Sequence, residues 1–317
     1  MTSDATSSSK LASDLEAMIA GTYAHPARAP FDFKKAAIFA GAARCHLDCE
    51  VELLPGLHLR PTYVDLFASA MAAFAPPPTP RAVHPAPWHA VDGGGTSEAV
   101  RVEIHLAENA QPLGLPHLDT LRIVAALMRL LTATPICLPI LSSAPLDTIT
   151  SRQDEPIFMA FEVGPLWRAE IMHLGPSHFE PMSEWLTPTS VLLNDDDVFH
   201  ALMLADGFWW IPSGVSQMMT LWTVAETLIR PKRQGVGASM ADYIRTYLGR
   251  SRGHGDRLYN EVIRLYSERG SAAHAGRTPS PNDVRASFMI IRDIFLRCFV
   301  EQVRPPHREN VTPLPWR

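Results

Sequence analysis

The most informative stretch of this 317-residue chain is residues 258–276, which read LYNEVIRLYSERGSAAHAG. Its apolar residues recur at three- and four-residue spacing, which predicts a helix over residues 255–269. Arg269 and His274 follow, five positions apart, and Gly276 marks a turn after them. A permanently charged side chain and one that titrates near neutrality thus stand close together in the sequence.

The sequence on both sides of this stretch predicts an all-helical region over residues 195–303. Asp195, Asp196 and Asp197 open it, because carboxylates cap free N–H groups at a helix start and favour the positive end of its dipole. Consecutive acidic residues point in different directions on a helix, so capping explains them better than a metal site does. The predicted helices cover residues 196–210, 214–230, 237–250, 255–269 and 281–303.

The preceding residues predict a mixed α and β domain, so the fold class expected for the whole chain is α+β. Residues 1–30 are expected to be a flexible tail, 31–190 the mixed domain, 195–303 the helical domain and 304–317 a C-terminal tail. Residues 62–74 have helical periodicity, and the prolines and glycines of 75–98 predict an irregular stretch. Residues 100–106 alternate apolar with polar side chains, as a half-buried strand does, and 118–131 predict an amphipathic helix. Further strands are predicted at 136–141, 157–163 and 166–173.

Composition and charge narrow the class of protein. The net charge is −5, yet residues 230–300 hold 13 basic and 6 acidic side chains. A basic region on an acidic body favours an anionic partner, although a solvated helical surface is the alternative. Four cysteines in so long a chain do not form a disulfide framework, and residues 1–10 lack the features of a signal peptide. The thiols are therefore expected to be reduced, which predicts a cytoplasmic protein, and no apolar run is long enough to span a membrane.

Two segments of the helical region resemble the HEPN family. One is the Arg269-x4-His274 spacing after a tyrosine-bearing helix, and the other is residues 221–228, LWTVAETL, which are similar to a helix of the Apea-like branch. The resemblance covers about a third of the chain. It implies a metal-independent endoribonuclease that needs no cofactor, with Arg269 and His274 as catalytic residues, and with roles in phage defence or toxin-like systems. Supporting residues are then expected at Glu226, Tyr266 and Ser271.

The chemistry of RNA cleavage explains why these residue types suit such a site. A histidine can exchange protons with the attacking and leaving oxygens, and the planar fork of an arginine matches two phosphate oxygens. On an ideal helix, however, side chains five residues apart diverge by about 140°. Either the helix ends near Gly270 and folds His274 back, or a second copy completes the site, as the resemblance implies. We therefore expect a homodimer through the helical domain that binds RNA, with a trigger or partner at the N-terminal domain.

Other interpretations of the same residues stay open. His274 could cap a helix C-terminus, and Arg269 could pair with Glu226 as a tie within the bundle. Gly270 departs from the resemblance, because active family members often have a polar residue there; a non-catalytic module that binds nucleic acid or protein is the alternative. A third possibility is a structural dimerisation subunit. Gly235-x-Gly237 lacks the strand and the third glycine of a dinucleotide site, and no P-loop or Ser/His/Asp signature is present.

Overall fold

The computed structural model describes residues 38–74, 89–149, 171–306 and 311, and for 65–74, 89–98 and 188–190 it describes the backbone alone. The chain is mixed α and β. Its strands are β1 (Phe39–Ala43), β2 (Cys45–Leu47), β3 (Val51–Leu54), β4 (Leu57–Phe74), β5 (His89–Leu106), β6 (Cys137–Ser142) and β7 (Met172–Leu174). Its helices are α1 (His117–Thr132), α2 (Pro176–Leu192), α3 (Asp196–Gly207), α4 (Gly214–Ile229), α5 (Val236–Leu248), α6 (Arg252–Ala275) and α7 (Pro281–Glu301).

Five strands form one antiparallel sheet in the order β3-β4-β5-β1-β6. The register of the central pair runs from Leu57 opposite Leu106 to Phe74 opposite His89. The alternating residues Val102, Ile104 and Leu106 are buried, which confirms the strand predicted at 100–106. β2 and β7 form a separate parallel pair beside this sheet.

Residues 62–74 form part of a strand, so the prediction of a helix there is wrong. The alanine-rich sequence favours a helix locally, but its backbone N–H and C=O groups pair with β5 instead. β5 begins at His89, so 89–98 are strand rather than irregular. The rest of the irregular stretch, the strand at 157–163, most of that at 166–173 and the tail at 1–30 lie outside the described residues.

The helical region matches the sequence prediction closely. α3, α4, α5 and α7 lie within about three residues of their predicted limits, and Asp195 caps α3 by accepting the N–H groups of Asp197 and Val198 at 3.0 and 3.3 Å. α6 is longer than predicted. It continues without interruption to Ala275 and ends at Gly276, whose φ of 63° is left-handed.

The sheet and the helices share one continuous hydrophobic core. α1 crosses from one part to the other, and its Arg129 is only 1% exposed. This side chain donates to Asp206 on α3 at 2.6 Å and to the carbonyl oxygen of Ile136 at 2.6 Å. The helix α2, which the sequence did not predict, packs against β3 and α7. The division into separate domains stays a prediction.

The segment after α7 is attached to the helices. Arg304 donates to Asp195 at 2.5 Å, and the hydroxyl of Tyr243 donates to the carbonyl oxygen of Pro306 at 2.9 Å. Residues 304–306, predicted to belong to a C-terminal tail, therefore pack against α3 and α5.

Candidate functional site

The predicted site lies where α6 crosses α4, on a foundation of buried aromatic residues. Trp222 on α4 is fully buried, and its indole N–H donates to the hydroxyl of Ser287 on α7 at 3.2 Å. Tyr266 on α6 meets the Trp222 ring edge-on at a centroid distance of 5.3 Å. This packing fixes the plane of the tyrosine ring and thereby the direction in which its hydroxyl points.

The hydroxyl of Tyr266 donates a short hydrogen bond of 2.7 Å to Oε1 of Glu226. Burial, followed by this bond to a carboxylate, raises the pKa of Tyr266 to about 12. The phenol therefore keeps its proton at neutral pH and acts as a fixed donor to Glu226. In any reaction near neutrality it would position other groups rather than transfer a proton.

Arg269 completes the cluster one turn further along α6. Its Nη2 lies 3.5 Å from Oε1 of Glu226, and its guanidinium lies over the Tyr266 ring at 5.4 Å. The side chain is 20% exposed, and its Nε is buried without a hydrogen-bond acceptor among the described residues. Because a guanidinium carries five N–H donors, the contact with Glu226 leaves several of them for a ligand.

Gly237 on α5 makes room for this arrangement, and sequence reasoning missed its role. A Cβ atom there would lie 2.9 Å from Cδ1 of Tyr266, which is closer than real Cβ atoms approach. Tyr266 therefore reaches Glu226 only because residue 237 has no side chain. The pair Gly235-x-Gly237 was visible in the sequence, but nothing local to it indicates an aromatic ring from a helix thirty residues later.

His274 lies in the last turn of α6 and is exposed. The helix passes straight through Gly270, so the predicted end at residue 269 is wrong, and so is the alternative in which the chain folds His274 back. On a continuous helix His274 is about 7.5 Å further along the axis than Arg269 and points about 140° away from it. A single chain thus brings Arg269, Glu226 and Tyr266 together and leaves His274 apart from them.

Ser271 is half-buried and contributes through its backbone. Its carbonyl oxygen accepts the N–H of Gly276 and so closes the end of α6. Next to it, Gly270 is helical and half-buried, and no described atom lies within 4 Å of the place that a Cβ would occupy. The backbone and the surroundings at residue 270 would therefore accept a side chain.

Two further arginines lie on α6 and just after it. Part of the positive charge is paired, because Arg264 contacts Glu261 at 2.7 Å and Asp283 at 2.6 Å. Arg277, which follows the helix end, is exposed. Arg277 therefore adds one positive charge at the C-terminal end of α6, where the helix dipole itself is negative.

Comparisons of the chain with models of known families, with curated proteins and with solved structures found no match. Among the residues that the structure describes, no group of three or more His, Cys, Asp or Glu side chains is arranged to hold a metal ion. Nor does any helix in the described ranges combine the length and the apolar character needed to cross a membrane.

Proposed function

We propose that the protein is a cytoplasmic, dimeric endoribonuclease of HEPN type that cleaves RNA without a metal ion. The observation that carries the proposal is the Arg269 cluster. Its guanidinium is oriented by Glu226 and Tyr266, keeps donors to spare, and lies on the same helix as the exposed His274. The excess of basic residues in this region supports an RNA substrate.

In the proposed reaction, the imidazole of His274 removes the proton of a 2′-hydroxyl, and that oxygen attacks the adjacent phosphorus. The guanidinium of Arg269 donates to the phosphate oxygens as negative charge develops on them. The bond from phosphorus to the 5′-oxygen breaks, and a protonated histidine returns a proton to the leaving oxygen. The products are a 2′,3′-cyclic phosphate and a free 5′-hydroxyl.

The divergence of Arg269 and His274 on one straight helix is the reason for proposing a dimer. A two-fold axis near the end of α6 would place Arg269 of one copy beside His274 of the other, which one chain cannot do. In this arrangement the helical region forms the dimer interface, and the sheet part is free to bind a partner or sense a trigger. Roles in phage defence or in a toxin-like system would follow from such a switchable nuclease.

The proposal is tested by incubating the protein with RNA in the presence and absence of EDTA and analysing the product ends. We expect cleavage to persist in EDTA and to leave 2′,3′-cyclic phosphates, because arginine and histidine suffice for attack by the neighbouring hydroxyl. Cleavage that stops with the chelator and returns with magnesium would refute the proposed chemistry.

Subunit mixing tests the composite site. If each site takes Arg269 from one copy and His274 from the other, an Arg269→Lys chain paired with a His274→Ala chain contains one intact site. We expect the co-refolded mixture to regain about a quarter of the wild-type rate, since half of the dimers are mixed and each has one of two sites. A mixture no more active than its components, or a monomeric mass by light scattering, would argue against this arrangement.

The second candidate is a non-catalytic module that binds RNA or protein. The contact of Arg269 with Glu226 favours it, because a tie between α6 and α4 would also explain both residues. A gel shift without cleavage would support this alternative.

A further inference from the structure

A cleft of about 680 Å³ opens at the other end of α6, between α2, the end of α5, α6 and α7. Its volume lies within the usual range for small-molecule sites. One wall is apolar and formed by Trp185, Leu248, Leu258, Leu296 and Val300. Val300 is 63% exposed although it is aliphatic. The half-buried ring of Trp185 stacks on Phe299 at a centroid distance of 6.3 Å, which holds the ring in place at this wall.

The polar end of the cleft combines donors with a carboxylate. Arg250 is exposed, and its backbone N–H donates to Nδ1 of His254 at 3.1 Å. This bond places the proton of a neutral His254 on Nε2, which can then donate to a ligand. His254 also lies in the first turn of α6, where the helix dipole adds positive potential. An anionic group is the ligand that this corner fits.

Asp293 on α7 faces the same space. Its side chain is 49% exposed and contacts Arg292 at 3.3 Å, which leaves acceptor positions on the carboxylate. Partial burial raises the pKa of Asp293 above its ordinary value, and the nearby positive groups of Arg292, Arg250 and His254 act in the opposite direction. In its ionised form, the partly exposed carboxylate of Asp293 can accept N–H groups from a ligand.

The second ion pair of the cleft is already complete. Arg297 lies over the ring of Tyr247 at 3.9 Å and donates to Glu301 at 2.7 Å. Because Arg297 and Glu301 balance each other, the charge available to a ligand comes from the Arg250, His254 and Asp293 corner.

A flat apolar ring, adjacent N–H donors and an anion are together the features of a guanine nucleotide. We propose that the cleft binds one, with the base against Trp185, its Watson–Crick N–H groups on Asp293, and its phosphate on Arg250 and His254. Among the four bases only guanine presents two adjacent N–H donors, from N1 and N2, to a single carboxylate. The nucleotide is either free or part of an RNA strand. The site does not depend on the proposed nuclease activity.

The test is a titration of the full chain with GMP, AMP, CMP and UMP, followed by calorimetry and tryptophan fluorescence. We expect GMP to saturate with a Kd of about 0.1 mM or tighter and to bind about 10-fold better than the others. Asp293→Asn should abolish this preference, since it presents an amide donor to the donors of guanine. Failure of GMP to saturate by about 1 mM, or an unchanged GMP-to-AMP ratio in Asp293→Asn, would overturn the proposal.

Pairs of matched variants distinguish binding in the cleft from a general effect of removing positive charge. Arg250→Ala should weaken all four nucleotides about 10-fold, whereas Arg257→Ala, which removes an exposed arginine outside the cleft, should leave them unchanged. Equal losses in both variants would count against the site. Trp185→Ala should weaken every nucleotide, and Trp185→Phe, which keeps an aromatic ring and guards against misfolding, should restore most of the affinity.

Competition identifies the source of the nucleotide. If a tetraguanylate RNA displaces GMP, the cleft binds guanine as part of an RNA strand. If this RNA does not displace GMP, the cleft binds the free nucleotide. His274→Ala should retain GMP binding, because His274 lies at the other end of α6 from the cleft. A protein that binds GMP without cleaving RNA would refute the nuclease proposal alone, and one that cleaves RNA without binding GMP would refute the cleft proposal alone.

Discussion

Two clusters of charged residues in this protein each contain a buried polar atom without a hydrogen-bond partner among the described residues, yet they differ in access. At the α4–α6 crossing the atom is Nε of Arg269, and the guanidinium still reaches solvent. On the outer face of the sheet it is Oε1 of Glu103, a side chain that is 3% exposed. Charged residues alone do not indicate a site, because a ligand must also be able to reach them.

Apart from Oε1 of Glu103, the charged groups of the sheet cluster contact one another or the backbone. His105 Nδ1 lies 3.5 Å from Glu103 but accepts from Arg60 at 2.9 Å, and Arg60 also donates to Glu50 at 2.9 Å. Oε2 of Glu103 accepts the N–H of Leu146 at 2.7 Å, which holds the turn at residues 146–148 over the sheet. These contacts indicate that the sheet cluster is structural. The helical cluster differs, because Arg269 keeps N–H donors for a ligand and the exposed His274 lies on the same helix.

The largest expected effect is the loss of RNA cleavage when His274, on the helix that carries Arg269, is replaced. His274→Ala should lower kcat for RNA cleavage by about 100-fold or more, because the proton carrier is lost, while the fold is unchanged. The measurement is the initial rate on a fluorogenic RNA, with the melting temperature as a check on folding. His200→Ala, which removes another exposed histidine on a helix, is the control and should keep full activity. Full activity in His274→Ala would remove the functional interpretation of this cluster.

Glu103→Ala should affect stability and not cleavage. In this variant the N–H of Leu146 has lost its acceptor, so we expect the free energy of unfolding to fall by about 1–3 kcal/mol in urea titrations. Glu52→Ala, at an exposed position of the same face, should change it by less than about 0.5 kcal/mol. A loss of RNA cleavage in folded Glu103→Ala protein would contradict the structural role.

The protonation of Glu103 makes the free energy of unfolding depend on pH. Burial raises the pKa of Glu103, Asp147 and Glu50 add to the shift, and the Leu146 hydrogen bond and Arg60 oppose it. The folded protein therefore binds this proton more tightly than the unfolded chain, and its stability falls as pH rises through the folded pKa. Glu103→Gln keeps an acceptor and removes the charge. It should be more stable than wild type above neutral pH, and this gain should vanish below about pH 4.

Arg269→Lys sharpens the choice between a phosphate clamp and a structural tie. Lysine keeps the charge but loses the fork, so a clamp predicts about a 10-fold lower kcat and a tie predicts little change. Steady-state kinetics measure the difference. Arg264→Lys on the same helix is the control, because that arginine already pairs with Glu261 and Asp283. Equal rates for wild type and both variants would support the tie.

The smallest effects come from two glycines near Arg269, and they should have opposite signs. Gly237→Ala forces the Tyr266 ring away and should cost about 1–2 kcal/mol of unfolding free energy, with some loss of activity. Gly270→Ala meets open space inside a helix and should stabilise the protein by about 0.5–1 kcal/mol. Urea unfolding of both variants tests the packing, and a stabilised Gly237→Ala would contradict the proposed role of Gly237.

The sequence was sufficient where local signals decide the structure. The helices of the C-terminal region follow from apolar periodicity and from caps such as Asp195 and Ser280, each of which acts within one turn. The contact between Arg269 and Glu226 was also among the predicted alternatives, as a structural tie within the bundle.

The sequence was insufficient where distant segments decide the structure. Residues 62–74 favour a helix until β5 offers them a partner strand, and Glu103 lies on a polar face until the turn at 146–148 covers it. The need for a glycine at residue 237 depends on Tyr266, which only the packing of α5 against α6 brings near. No pattern within a single element carries such information.

The buried ion pair between Arg129 and Asp206 limits how the sheet and the helical region can be separated by recombination or truncation. A helical region moved to another protein would leave the Asp206 carboxylate without its arginine, and a sheet part expressed alone would leave Arg129 without its carboxylate. Breaking a buried ion pair by removing one partner costs about 3–5 kcal/mol, a large share of the stability of a typical domain. Recombination that separates α1 from α3 should therefore survive only if both residues change together.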